Sequence, residues 1–241
     1  MIIGDTLKHG EWDNLDRVVG RAVAPRSDCE VALRAAGMRL DVNTASREML
    51  DSLLSRLGFA ATARDSLIDA LMDWRDSDDV PRPHGGEHAW YEARGLQSPR
   101  NGPLADVREL ARVRGFGRIS GLDTLLDVEP ARIAMSRAPL LVLEALPGIG
   151  PEGAERLMAM RIEGTPYREP VAFSGSLGES ARAAVFERFS ELSAMTAASP
   201  DAWILTSKAS MGSPRVTVVV EYRFVRAGTR AAVVRHRLWF G

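Results

Sequence analysis

The chain has 241 residues, 45% of them hydrophobic and 26% charged, which is enough for one large domain or two small ones with their own cores. The near balance of 31 Lys and Arg against 32 Asp and Glu argues against a protein that coats nucleic acid over its whole surface. The sequence contains no apolar run long enough to span a bilayer and no cleavable signal peptide at Met1. Cys29 is the only cysteine, so an intramolecular disulfide is excluded.

A pair of helices is predicted in the first third of the chain. Asn43 or Thr44 is expected to cap the first helix, and Gly58 is expected to end it. The apolar face of this helix carries Met49, Leu50, Leu53, Leu54 and Leu57. The second helix is expected from about Ala63 to Trp74.

The second helix leads into an acidic loop that Pro and Gly interrupt. Crowded carboxylates without an interleaved lysine repel one another, so the loop needs a positive charge among them. Calcium is the favoured cation because it accepts oxygen ligands in flexible geometry, and the alternating spacing of Asp76 and Asp78 is typical of a calcium loop. The alternative is an acidic helix end followed by a solvated loop, since the spacing is not a complete EF-hand signature. The carboxylates of this loop are Asp73, Asp76, Asp78, Asp79 and Glu87.

The same loop contains His84-Gly85-Gly86-Glu87-His88, which fits the H-x-x-E-H pattern of one class of zinc peptidases. That chemistry needs a helix with both histidines on one face. Pro81, Pro83 and the paired glycines disfavour such a helix, so we expect no peptidase site. The sequence also has no P-loop, dinucleotide fingerprint or G-x-S-x-G elbow.

Two further helical segments follow from apolar spacing. Trp90-Tyr91 is expected to cover the core, and the helix after it is expected to stop at Gly115. The inner face of that helix carries Leu104, Val107, Leu110 and Val113. A later helix, from about Glu179 to Ala194, is expected to bury Val185, Phe186, Phe189 and Leu192.

An internal repeat links the two halves of this helical region. Residues 132–139 align with residues 39–46 at a constant offset of 93. The register continues through four leucines, namely Leu50 and Leu53 in the first copy and Leu143 and Leu146 in the second. Two copies of one helical unit predict a duplicated or pseudo-symmetric α subdomain.

The second copy continues into a sequence that resembles the helix-hairpin-helix motif, with Gly148, Ile149 and Gly150 at the turn and Pro151 opening the next helix. In DNA-binding proteins with this motif, the turn amides and the helix N-terminus hold a phosphate, so a DNA-binding module is the alternative function. The other interpretation is a turn that only packs two helices, because the nearby charges are mixed. They are Glu144, Glu152, Glu155, Arg156 and Arg161.

Strand patterns occupy both ends of the chain. Two short strands are predicted at 15–23 and 29–34, and three antiparallel strands at 203–207, 215–224 and 231–240, with turns at 212–214 and 227–229. From Trp203 onward, the sequence contains seven basic residues and a single acidic residue, Glu221. Alternation places Arg235, Arg237 and Trp239 on one face of the last strand. His236 is expected to be packed on the other face, between Val234 and Leu238.

These motifs, in this order, resemble the K-type minor pseudopilin family of type II secretion systems. The resemblance rests on the Asp-Trp-x-Asp-x-Asp-Asp helix end with the Pro, Gly and Glu that follow it, on Trp90-Tyr91, and on Asn101-Gly102-Pro103-Leu104 with Glu109-Leu110. It also rests on the paired segments at Asn43-Thr44-Ala45 and residues 136–139. The second segment has Ser136-Arg137 in place of the family's Asn-Thr pair.

The resemblance implies an α+β fold, in which a pilin-like antiparallel β-sheet carries a large inserted helical domain with two related repeats of helix-hairpin-helix or SAM-like type. The domains would be residues 1–42 and 198–241 for the pilin-like part and residues 43–197 for the helical insertion. It implies no enzymatic activity. The family binds calcium in the helical domain, and the ligands carried over are Asp76, Asp78, Asp79 and Glu87.

The resemblance also implies the partners and the place of the protein. Such a protein caps the periplasmic pseudopilus, associates with the I- and J-type minor pseudopilins, and works with the secretion platform in the inner membrane. The family's apolar N-terminal anchor helix is not found in this sequence, so membrane contact is expected only through that helix in a full-length protein. Nucleic acid is not an expected partner.

Overall fold

The computed structural model describes residues 29–165, 167, 170–213, 216–227 and 230–240. The described residues form two compact units, one comprising residues 29–37 together with the described residues from Ser199 onward, and the other comprising those within Met38–Ala198. None of the described helices is both long enough and apolar enough to cross a membrane. The strand predicted at residues 15–23 lies outside the described residues.

The unit Met38–Ala198 is mainly helical. Its helices are α1 (Arg47–Arg56), α2 (Ala61–Arg75), α3 (His88–Glu92), α4 (Leu140–Glu144), α5 (Gly150–Ile162), α6 (Pro170–Ser174), α7 (Glu179–Glu187) and α8 (Phe189–Met195). Short 3-10 helices lie at Val107–Arg112, Phe116–Arg118 and Leu122–Thr124. Two pairs of two-residue parallel strands tie distant segments together: β2 (Leu40–Asp41) with β3 (Leu126–Asp127), and β4 (Ile133–Ala134) with β5 (Thr196–Ala197).

The other unit is built on an antiparallel sheet, four-stranded among the described residues, in the order β1-β6-β7-β8. Its strands are β1 (Cys29–Ala35), β6 (Ala202–Met211), β7 (Val216–Ala227) and β8 (Arg230–Phe240). The strand predicted at 29–34 and the three predicted C-terminal strands are therefore confirmed. Of the predicted turns, residues 214, 228 and 229 lie outside the described residues. The helical unit falls between β1 and β6 in the sequence. It begins before residue 43 because Leu40 pairs with Leu126 within it.

The predicted packing of His236 is wrong. Its side chain is exposed and stacks on Tyr222 of β7, with ring centroids 6.2 Å apart. Val234 and Leu238, the apolar residues expected to enclose it, are 50% and 55% exposed. Alternation within a strand does not tell which of its faces the rest of the protein covers.

The first helix begins later than predicted. Ser46 is the N-cap of α1, and its hydroxyl accepts a hydrogen bond from the Met49 amide at 3.2 Å. Asn43 instead exchanges two hydrogen bonds with the backbone of Leu104, at 2.7 and 3.0 Å. Thr44 donates its hydroxyl to Asp41 at 3.2 Å. The Asn-Thr pair therefore fixes the turn before the helix, while Gly58 ends it in the left-handed conformation as predicted (φ 87°).

Two other predicted helices differ from the structure. The segment around Leu110 is a 3-10 helix, Val107–Arg112, which Asp106 and Glu109 start with a capping box. The helix predicted from 179 to 194 is broken at Arg188 into α7 and α8. The break disrupts the helical periodicity. Val185 and Leu192 are buried as predicted, whereas Phe186 and Phe189 are 50% and 37% exposed.

The 93-residue offset also relates local structure. β2 and β4 begin at corresponding positions, and α1 and α4 begin at residues 47 and 140. Corresponding backbone hydrogen bonds close the turns between strand and helix, from Ala45 to Asp41 and from Ala138 to Ala134. The two helices are joined by Arg56, which donates from Nε and Nη2 to the buried Glu144 carboxylate at 2.5 and 3.0 Å. A duplication of the whole helical unit remains a prediction.

Candidate functional site

Three carboxylates meet where the acidic loop returns to the helix that precedes it. Asp73 lies in the last turn of α2, Asp76 directly follows that helix, and Glu87 directly precedes α3. Each of the three offers one oxygen, and these oxygens all lie within 4.8 Å of one another. Among the described residues, this is a group that could hold a metal ion. Oxygen donors of this kind suit hard cations such as calcium.

The burial of these carboxylates indicates a strong demand for positive charge. Asp73 is 0% exposed and Glu87 is 3% exposed. Both carboxylate oxygens of Glu87, and Oδ1 of Asp76, are buried without a hydrogen-bond partner in the described structure. Burying a carboxylate oxygen removes its hydration. Without a hydrogen-bond partner or a cation, nothing offsets this desolvation cost. The donor set therefore fits a bound cation.

Asp73 organises the backbone of the loop. Its Oδ2 accepts a hydrogen bond from the Gly86 amide at 2.8 Å, and the Arg82 amide donates to the same carboxylate at 3.2 Å. Gly85 passes so close that a Cβ there would lie 2.0 Å from Asp73 Oδ2. The loop consequently needs glycine at this position for steric space rather than for an unusual φ.

Arg82 supplies the positive charge inside the cluster. Its Nη1 lies 2.6 Å from Asp73 Oδ1 and 2.5 Å from Asp76 Oδ2. Neither carboxylate oxygen of Glu87 accepts a hydrogen bond from Arg82 or from any other described residue. Burial, and then the charges of the loop aspartates, raise the pKa of the Glu87 carboxyl to about 7. The aspartates, in order of effect, are Asp73, Asp76, Asp79 and Asp78.

The four predicted ligands divide into two pairs. Asp76 and Glu87 lie in the carboxylate group. Asp78 and Asp79 are exposed, and their side chains accept hydrogen bonds from the amides of Val80 and His88 at 2.9 and 3.1 Å. Asp73 joins the group but was not among the predicted ligands. Its position three residues before Asp76 at a helix end, where side chains share a face, is the signal that could have identified it.

The aromatic residues that follow the loop pack in the core and against the arginine that binds the loop. Tyr91 is fully buried against Trp74, with ring centroids 5.4 Å apart, as the sequence predicted for a core cover. Its hydroxyl accepts a hydrogen bond from the Arg114 amide at 2.9 Å. The Arg114 side chain donates to the Gly85 carbonyl and lies over the ring of Trp90.

The two histidines of the peptidase-like pattern do not share a helix face. His84 lies in a turn, and His88 is the first residue of α3. Both are exposed, and His88 Nε2 lies 3.5 Å from Glu92 Oε2.

The predicted nucleic-acid turn, Gly148, Ile149 and Gly150, packs against another helix. The turn joins α4 to α5, and a Cβ at Gly148 would lie 2.6 Å from the carbonyl oxygen of Ala184 in α7. The cavity beside it, of about 410 Å³, is lined by three acidic residues, Glu48, Glu144 and Glu152. This environment repels phosphate, so the structure provides no support for DNA binding at the turn.

Gly85→Ala is expected to lower the free energy of unfolding by about 1–3 kcal/mol, because the new methyl group collides with the buried Asp73 carboxylate. Gly175→Ala is the matched control, since nothing lies within 4 Å of a Cβ there, and it should change stability by less than about 0.5 kcal/mol. Urea denaturation of the two variants provides the comparison. Equal stabilities would contradict the tight loop geometry.

Comparisons with known proteins agree with this architecture. A family model for protein K of the type II secretion system (T2SS) matches residues 14–120. The fold is similar to that of a chain in the crystal structure of the GspK-GspI-GspJ complex from the enterotoxigenic Escherichia coli Type 2 Secretion System, with a TM-score of 0.64 and 20% sequence identity. The similarity covers 91% of this chain and 82% of that chain. No curated protein matches the chain significantly. Residues 14–120 are therefore similar in sequence to protein K of the type II secretion system, and the chain is similar in fold to a chain of the GspK-GspI-GspJ complex.

Proposed function

We propose that this protein is a minor pseudopilin, a non-enzymatic component that assembles with I- and J-type minor pseudopilins at the tip of a type II secretion pseudopilus in the periplasm. The observation that carries this proposal is the fold shared with a chain of the GspK-GspI-GspJ complex. The order of elements supports it, because the helical unit falls between two neighbouring strands of the antiparallel sheet. In this proposal the sheet is the pilin-like part and the helical unit is an insertion.

The proposal includes a structural calcium ion at the acidic loop. Asp73, Asp76 and Glu87 would hold the ion, and Asp78 and Asp79 are further candidate ligands from the same loop. The support is the set of buried oxygens without partners, which neutral hydrogen-bond donors of the loop do not reach. A bound ion would fix the end of α2 to the start of α3, and its role would be to hold the surface loop in one conformation.

Complex formation tests the assembly function directly. We expect the purified chain to co-elute with the periplasmic parts of the I- and J-type pseudopilins of the same bacterium in size-exclusion chromatography with light scattering. The control is the I–J mixture without this chain. Separate elution of the chain at concentrations well above micromolar would contradict the proposed place in the fibre tip.

Calcium should raise the melting temperature of the wild-type protein relative to chelator. A ligand at about a hundred times its Kd adds about 2.7 kcal/mol, which is about 5–10 °C for a chain of this size. Asp76→Ala should abolish the shift because it removes one of the clustered carboxylates. Asp123→Ala, which removes an exposed aspartate elsewhere in the helical unit, should leave it unchanged. A shift that survives Asp76→Ala would place the calcium elsewhere.

Glu87 should make the calcium-free protein less stable as the pH rises. Its pKa is about 7 in the folded protein against 4.5 for an ordinary glutamate, so folding favours the protonated form. The stabilisation is complete below about pH 4.5 and is lost as the pH rises through about 7. In chelator, we expect the melting temperature to fall more between pH 5 and pH 8 for the wild type than for Glu87→Gln.

Calcium should cancel this difference, because the ion stabilises the charged carboxylate. Parallel pH profiles of the wild type and Glu87→Gln in chelator would show that the Glu87 carboxyl titrates normally.

A further inference from the structure

We propose that Arg82 is the built-in counter-cation of the acidic loop, which a calcium ion must displace, and that this competition sets the calcium affinity of the protein. The inference rests on the calcium site of the proposed function. Arg82 would have two roles in addition to those of the metal ligands. Arg82 would hold the loop together before calcium binds, and it would weaken calcium binding at equilibrium.

The guanidinium of Arg82 lies where a metal ion would bind. One nitrogen, Nη1, bridges two of the three clustered carboxylates, at 2.6 Å from Asp73 Oδ1 and 2.5 Å from Asp76 Oδ2. A metal ion shared by Asp73 and Asp76 would also have to lie between these two carboxylates. Charge-assisted hydrogen bonds of this length are among the strong ones in proteins, so the arginine is a genuine competitor.

The hydrogen bonds of Asp73 make the competition direct. Its Oδ2 is already occupied by the Gly86 amide at 2.8 Å, and that bond belongs to the backbone of the loop. Oδ1 has only a longer backbone contact, from the Arg82 amide at 3.3 Å, so it is the oxygen more available to a metal ion, and it is the one that Arg82 Nη1 contacts. A guanidinium and a divalent cation on the same oxygen repel each other, so calcium that uses Asp73 displaces the arginine.

The Arg82 side chain can leave the carboxylate cluster towards solvent. The Arg82 side chain is 34% exposed, whereas the Asp73 side chain it contacts is 0% exposed. Its main chain stays in place independently, because the Arg82 amide donates to Asp73 Oδ2 at 3.2 Å. The side chain can therefore turn towards solvent without unfolding the loop.

Arg82 leaves part of the site for calcium. Both oxygens of Glu87 and Oδ1 of Asp76 have no hydrogen-bond partner among the described residues, and Arg82 does not reach them. Arg82 thus contacts two of the three clustered carboxylates and leaves the third, Glu87, without a contact to its charge. A divalent ion that contacts all three satisfies more oxygens than the arginine does, and this gives calcium its advantage over the resident cation.

Calcium titration calorimetry on the whole chain tests the inference. We expect Arg82→Gln to bind calcium about ten- to a hundredfold more tightly than the wild type, because the binding-competent state no longer has to compete with the bound arginine. Arg82→Lys keeps a charge that reaches the carboxylates less well, so its affinity should lie between the two. Arg108→Gln is the control, because Arg108 is an exposed arginine that pairs with Asp106 outside the loop.

A melting curve in chelator gives a second, independent readout. Arg82→Gln should melt below the wild type without calcium and should gain more from calcium than the wild type does. If Arg82→Gln does not fold in chelator, the ratio of the affinities of Arg82→Lys and wild type decides the question.

Equal or weaker calcium binding by the Arg82 variants would overturn the competition and leave the calcium site standing. No calcium binding by any of the folded proteins would instead overturn the proposed site itself. If Arg108→Gln increased the calcium affinity as much as Arg82→Gln, the increase would come from the change in net charge. This result would also overturn the inference.

Discussion

The central part of the helical unit depends on one fully buried carboxylate, Asp73. It accepts hydrogen bonds from the amides of Arg82 and Gly86 and from the Arg82 side chain, so its three donors all come from the loop that follows its own helix. A buried charge without such partners would be very costly. The loop therefore folds back over the end of α2. This brings Glu87 to the start of α3 and allows Tyr91 to enter the core.

The same arrangement concentrates more negative charge than the loop neutralises. Arg82 bridges Asp73 and Asp76, but the Glu87 carboxylate is left buried, with a pKa of about 7 and no hydrogen-bond donor. A calcium ion would supply the missing charge and would lock the loop between two helices. For a protein whose proposed task is assembly rather than catalysis, a fixed loop on the helical unit has a clear use. Binding partners recognise a surface best when its conformation is already set.

The sequence predicted the elements of the fold better than their packing. Strands with clear alternation and the helix that ends at Gly58 were predicted because local patterns determine them. The exposure of His236 and Phe186 depends on what the rest of the chain covers, which no local pattern contains. The N-cap was misassigned because Asn43 is used for a long-range bond to Leu104, 61 residues away.

The candidate site was predicted only in part, because local patterns do not contain its long-range contacts. Spacing and charge located the acidic loop and two of its clustered carboxylates, Asp76 and Glu87. Spacing could not separate Asp78 and Asp79, which are exposed and accept hydrogen bonds from the Val80 and His88 amides, from Asp73, which is buried. It also gave no indication of Arg82, because the contact forms only when the loop folds back on its helix.

Terbium luminescence would detect a metal ion bound at the acidic loop, since terbium replaces calcium in oxygen sites and is excited by nearby tryptophan. The ring of Trp90 lies beside Gly86 in the loop, and Trp74 is buried at the end of α2. We expect tryptophan-sensitised terbium emission that calcium reverses and that both Asp73→Asn and Glu87→Gln eliminate in folded protein. Emission that persists in both variants, or none in the wild type, would contradict a metal site at this loop.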